Sequence, residues 1–336
     1  MRYLIPGLVL AVFAGAGATL VMLGVVTLPG FNDGEPFPDM QVEMAKHPDE
    51  ATPAELQRAA YDAFEEGKYL TALSLAQDAS AKGDPQAFTL IGRIYAEGTG
   101  VSRDPAKAAQ AYEKAAELGD VPAMVSLASM LAAGKDVPKN REKAAELFER
   151  AALTGDPLAN YNLGLLFLRG DGKPENPSRA AAHIRYAAEK GIPSAQYDLA
   201  ALYQNGSGVP NDALEAATWM SKAAASGLTE AEYDYAVMLL RGQGLKRDEP
   251  KAVEYLKIAA EKGVAGAQNR LAHVYLDGVS GVPASPAEAL KWRLIAKASG
   301  IAKDDKLELL IASLPPDQIA AAQKAADDWR EKKAVQ

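Results

Sequence analysis

The residues best suited to chemistry are few. The chain has three histidines, His47, His183 and His273, and no cysteine, so a metal site would have to be built from imidazoles and carboxylates. The missing thiols exclude a cysteine nucleophile, a thiolate metal site, a disulfide framework and a lipid-modified cysteine. Neither His-Glu-x-x-His nor Cys-x-x-Cys spacing accompanies the histidines, and no Gly-x-Ser-x-Gly or Walker-type phosphate loop occurs. Carboxylates are abundant, but Glu113, Glu117, Glu142 and Glu146 fall where a solvated helix face is expected. The expectation is a chain with no catalytic centre, no metal and no cofactor.

A different pattern is more pointed. Tyr161, Tyr197 and Tyr233 recur at a spacing of 36 residues, followed directly by Asn162, Asp198 and Asp234, with Arg270 one spacing further on. Tyrosines beside acids suit a bound peptide carrying basic or amide groups. Two roles fit the row: a partner-facing strip, or packing between structural units. His273, Arg93, Arg169, Asn205 and Arg241 stand at variable positions of the same pattern and are further partner-binding candidates.

The spacing belongs to the whole chain. Asp84–Gly119, Asp120–Gly155, Asp156–Gly191, Ile192–Gly227 and Leu228–Gly263 are 36-residue units, and Val264–Gly300 has one residue more near Ser280. Counted from Asp156, position 4 is always alanine, positions 15 and 36 always glycine, and position 25 always alanine. A fixed period of this length means stacked supersecondary units. Apolar residues at positions 4, 8, 11 and 12 place one helix over positions 2–14; those at 25, 26, 29, 32 and 33 place a second from about position 22. Glycines 15 and 36 end the two helices. The repeated alanines let the helices approach closely. His183 and His273 then lie three units apart, too far to share a metal.

Ala159-Asn-Tyr-Asn-Leu-Gly164, the turns Gly98-Thr-Gly100-Val101, Gly206-Ser-Gly208-Val209 and Gly242-Gln-Gly244-Leu245, and the closing Ala-Ala-x-x-Gly resemble the Sel-one-like repeat family, a longer cousin of the tetratricopeptide repeat. The resemblance covers Asp84–Gly300. It implies an all-α, right-handed α-solenoid of stacked antiparallel helix pairs, first helices on the concave face, and adaptor work between proteins. It also puts a Tyr-Asn pair at positions 6 and 7, so Asp198 and Asp234 depart from its asparagine. Asp136 replaces the second turn glycine in its unit and Lys173 replaces the valine in the next, so those two loops are expected to differ locally.

The ends differ from the repeats. Residues 51–300 comprise a short tetratricopeptide-like unit, Thr52–Gly83, and six full ones; residues 301–336 are expected to cap the stack with two helices. Leu307, Leu310, Ile311 and Leu314 mark the first of these, and Asp317 is expected to N-cap the second. Tyr3–Leu28 holds no charged residue. As a helix it spans roughly 39 Å, enough to cross a bilayer, so residues 1–30 are expected to form a transmembrane signal anchor. Ala16-Gly17-Ala18 offers a cleavage site as the alternative, with release into the periplasm. Cleavage there would leave an apolar tail, which favours an uncut anchor. Residues 31–50 form an acidic, proline-containing linker. Arg2 before the apolar run and acids after it orient the N-terminus to the cytoplasm and the repeats to the periplasm, in the inner membrane.

Net charge is −8, which argues against nucleic acid as a partner. The functional expectation is a non-catalytic scaffold that binds a protein or peptide on its concave face. Two alternatives accompany it: a periplasmic regulator restraining a membrane signalling protein, and an envelope enzyme acting on cell-wall material.

Overall fold

A computed structural model describes residues 51–334 together with Ala11–Phe13 and Ala18–Leu20. The latter two pair antiparallel, with Val12 opposite Thr19. This corrects the expectation of an uninterrupted helix over residues 3–28. An apolar run does not by itself choose helix over strand, and Val12, Phe13 and Thr19 are strand-favouring types. The remainder of that segment and the acidic linker lie outside the described residues. Among the described residues no helix is long and apolar enough to cross a membrane.

Residues 53–334 form α-helices joined by short turns. The short unit is α1 (Pro53–Glu65) and α2 (Tyr69–Ala81). The full units follow as α3 (Pro85–Glu97) with α4 (Pro105–Glu117), α5 (Val121–Ala133) with α6 (Arg141–Leu153), and α7 (Pro157–Arg169) with α8 (Pro177–Glu189). Next come α9 (Pro193–Asn205) with α10 (Ala213–Ala225), α11 (Thr229–Arg241) with α12 (Glu249–Glu261), and α13 (Ala265–Asp277) with α14 (Pro286–Ala298). Each helix packs on its partner and on the next unit, so the core is a continuous column with no single centre.

Local chemistry explains the boundaries. Asp156 Oδ1 accepts the Ala159 N–H at 2.7 Å, and Asp84 and Asp120 start their helices in the same way. Before the second helices, Asp104, Asn140, Asn176, Asp212, Asp248 and Ser285 supply the cap. At the other end Gly170 adopts φ 66°, the left-handed stop. The alanines at position 25, among them Ala216 and Ala252, are fully buried where paired helices meet.

The second turn glycine has a stricter duty. Gly244 has φ 70°, and a Cβ there would stand 1.7 Å from the Ala213 carbonyl oxygen at the start of α10. Each such turn therefore presses on the preceding unit's second helix. Asp136, in place of that glycine, instead pairs with Arg103 of the preceding unit, the Arg103 Nη1 lying 3.1 Å from its carboxylate. Lys173, in place of the valine, sends its ammonium to Glu149 at 2.7 Å. The extra residue of the last full unit sits in a bridge between Val279 and Val282, where the Ser280 N–H donates to Glu249 at 2.7 Å.

Two further helices, α15 (Asp305–Ser313) and α16 (Pro316–Ala334), cover the open end. Leu307, Ala322 and Ala326 are buried against α13 and α14, and Trp329 meets Trp292 edge-on at 6.0 Å between ring centres. The side chains of Leu310 and Ile311 lie outside the described residues. Asp317 does not cap α16 but lies in its first turn: Pro316, with its preset φ and no N–H to satisfy, opens the helix.

Candidate partner-binding face

The first helices carry the candidate residues, and the ladder of tyrosines joins one unit to the next. Tyr161 donates its hydroxyl to Asp198 Oδ2 at 2.8 Å, and Tyr197 donates to Asp234 Oδ2 at 2.7 Å. Both phenols are held above their ordinary pKa, by burial first and then by the carboxylate each one meets. Burial also raises Asp198, against the opposing pull of the Tyr161 hydroxyl and the Arg169 charge. The acids that set this row apart from Tyr-Asn thus serve as acceptors between units.

The third rung is different. The register places Arg270 where Asp198 and Asp234 stand. Tyr233 reaches the next unit in the same way, its hydroxyl 3.1 Å from where a Cβ of Gly266 would lie. Arg270 has a buried Nε with no hydrogen-bond partner among the described residues. Asn162 turns back on its own helix, donating to the Leu158 carbonyl at 2.9 Å.

His273 belongs to the seam with the cap. Its Nε2 lies 2.7 Å from Asp304 Oδ2, the oxygen that also accepts from Asn269 at 3.1 Å. Partial burial pushes Asp304 up, but the bonds from Asn269, His273 and the Leu307 N–H outweigh it and hold its pKa at about 2. Arg293, fully buried nearby, binds Asn269, the Ala302 carbonyl and Glu308. His183 is likewise internal: Nδ1 meets Asn160 Oδ1 at 2.9 Å and the ring stacks on Phe167. Burial, then Arg179, lowers its pKa. Arg93 pairs with Glu97 at 2.8 Å and covers the Phe64 ring. Arg169, Asn205 and Arg241 are exposed.

One row was missed in the sequence. Asn160, Gln196, Glu232 and Gln268, at position 5, are buried polar residues. Gln196 and Gln268 each donate to the carbonyl eight residues back, Ala188 and Ala260, at 3.2 Å, tying a first helix to the end of the preceding second helix. Glu232 has no amide to donate; it accepts instead from Lys262 at 2.6 Å, whose ammonium also reaches the Gly227 carbonyl. The signal was present as polar residues at the 36-residue period beside the constant alanine.

A groove of about 500 Å³ opens between α9, the start of α10 and α11. Gln204, Asn211, Asp234, Arg241 and Gln243 line it with Val237, Met220 and Met238. Among the described residues no three His, Asp or Glu side chains gather as metal ligands would.

The Sel1 repeat profile matches six segments, 89–120, 121–156, 157–192, 193–228, 229–264 and 265–300. The chain belongs to the Sel1 repeat family. A Sel1 repeat protein from Oxalobacter formigenes is 28% identical, with a TM-score of 0.63 over 74% of this chain and 99% of that one. The antigen c5321 of uropathogenic Escherichia coli, which displays the same fold, is 26% identical, with a TM-score of 0.54 over 84% of this chain and 70% of that one. No curated protein matches the chain. The Sel1 repeat stack accounts for the arrangement of the first helices, and a role in protein–protein interaction fits it.

Proposed function

We propose that the chain is a non-catalytic scaffold that holds an extended segment of a partner protein along its first-helix face. The observation that carries this reading is the groove beside α9 and α11, where amides, an acid and an arginine surround a floor of two buried methionines. Amide side chains satisfy a peptide backbone and methionines adapt to varied side chains. The uncharged run 3–28 supports membrane attachment, and Arg2 ahead of it supports a periplasmic repeat domain.

Photocrosslinkers placed at Gln204 and Gln243 in intact cells test the scaffold. Capture of one protein that is lost when the partly exposed Val237 is changed to Asp, with helicity retained, is expected; recovery of only glycan or lipid rejects it. Reporter fusions at the C-terminus test the orientation, which fails if the fusion is active in the cytoplasm alone.

A further inference from the structure

The tyrosine ladder is a series of donors, each matched to an acid one unit on, and at its third step the acid is missing. Tyr161 OH sits over α9 between Ser194 and Asp198, both within reach of it. Tyr233 OH sits in the same place over α13, but position 3 is Gly266 and position 7 is Arg270. Among the described residues neither the Tyr233 hydroxyl nor the Arg270 guanidinium has a hydrogen-bond or ion-pair partner, and the Arg270 Nε is shut off from water. A buried donor left unpaired is costly, and more so in a cation.

The repeat register supplies a second cation at this step. Arg169 stands eight residues beyond Tyr161, and its charge is felt by both Tyr161 and Asp198. Arg241 stands eight residues beyond Tyr233 in the equivalent helix and makes no ion pair among the described residues. The first rung is thus tyrosine, acid and arginine; the third is tyrosine and two arginines. Asp234, beside Tyr233 in α11, is taken up by Tyr197, so in a chain of net charge −8 the rung holds two arginines to which no carboxylate among the described residues is paired.

We infer that the third rung, Tyr233, Arg241 and Arg270, is a receptor for a carboxylate of the partner segment, an internal Asp or Glu side chain that takes the place of the missing ladder acid. Tyr233 donates one hydrogen bond to it and the guanidinium groups supply charge-assisted ones. Arg241 also lines the groove beside α9 and α11, so the segment runs from groove to rung. The rung lies within the stack, with α13 to α16 continuing beyond it, so a chain passing along the face is favoured over a terminus that ends there. Asp234, next to Tyr233 in α11 and at the groove, accepts from Tyr197 through Oδ2 and offers its other oxygen to a basic or amide group of the same segment.

This rests on the scaffold reading, but the test separates the two. Fluorescein-labelled, C-amidated peptides of about eight residues, roughly 26 Å when extended, are made with one Lys and one Glu at varied separation, alongside Glu→Gln versions. Fluorescence anisotropy is measured against the intact repeat domain within the full chain. The best Glu peptide is expected to bind about tenfold tighter than its Gln version, with the difference shrinking as salt rises. Arg270→Asp is the decisive variant, because it restores the acid of the ladder: it should keep or raise the melting temperature while abolishing the Glu preference. Arg241→Gln should reduce that preference several-fold. Equal binding of Glu and Gln peptides, no binding at all, binding that requires a free C-terminal carboxylate, or a Glu preference that survives Arg270→Asp overturns the site. Partner capture at Gln204 that persists alongside such a result leaves the scaffold standing and removes only the carboxylate receptor.

Discussion

The Tyr197 hydroxyl of one repeat donates to the Asp234 carboxylate of the next at 2.7 Å, and Tyr161 repeats the bond to Asp198. Such bonds fix how far one unit is rotated on its neighbour. Tyr197→Phe removes the donor and leaves a half-buried carboxylate, an expected loss of about 1–3 kcal/mol. Tyr233→Phe removes a hydroxyl with no partner and should change stability by less than about 0.5 kcal/mol. Urea unfolding followed by circular dichroism compares them; equal losses would show that the ladder has no energetic role.

The turn glycines separate strain from contact. Gly263 has φ 95° and nothing within 4 Å of an added Cβ, whereas Gly244 has φ 70° and the Ala213 oxygen at 1.7 Å. Gly263→Ala meets only the left-handed penalty, about 1–2 kcal/mol. Gly244→Ala should lose a further 1–3 kcal/mol, roughly the cost of overpacking, because the backbone of α10 must retreat. Thermal unfolding of the two variants reads the difference.

Glu232 is buried, and Lys262 holds one of its oxygens while Oε2 lacks a partner. Lys262→Met strands a buried charge and is expected to destabilise by about 3 kcal/mol. Adding Glu232→Gln should restore most of it, since the introduced amide can address the Ala224 carbonyl as Gln196 and Gln268 address theirs. A double variant no more stable than Lys262→Met contradicts this account of the row.

Asp304 gives a signed pH dependence. Its folded pKa, at about 2, lies below the 3.8 of an unperturbed aspartate. Between these values the unfolded chain binds a proton that the folded chain does not, so its contribution is complete above about pH 4 and is lost as pH falls towards 2. Asp304→Asn keeps an acceptor for the Leu307 N–H but cannot titrate. The stability advantage of the wild type over this variant should shrink over that range; an advantage unchanged at pH 2 would disprove the linkage.

The repeat was legible because its geometry is written in backbone-limited residues. Alanine at positions 4 and 25 and glycine at 15 and 36 allow few alternatives, so positions 2–14 and the start at position 22 agree with α7 and α8 residue for residue. The caps before the second helices escaped notice because Asp, Asn and Ser vary there, though all three accept from a backbone N–H. Site residues were harder. Tyr161 and Asp198 are 37 residues apart, and no single-unit pattern shows that they touch; only stacking brings position 6 of one unit to position 7 of the next. His273 looked like a variable surface position until α15 supplied Asp304 beside it. Pro315-Pro316 suggests a break that makes Asp317 a cap, whereas the second proline begins the helix.

The caps of the first helices change character along the chain. Aspartates hold the opening turns of α3, α5 and α7, but Ile192, Leu228 and Val264 stand before α9, α11 and α13 with no side-chain acceptor to offer. The leading amides of these last three helices have only water to turn to, so hydrogen exchange there should outrun that at the matching amides of α3, α5 and α7. Breathing is thereby expected in α9, α11 and α13, the first two of which wall the groove. On the proposed function, the half that would hold the partner is the half whose helices most readily unfasten their first turn, free to adjust while the Asp-capped half keeps the stack in register.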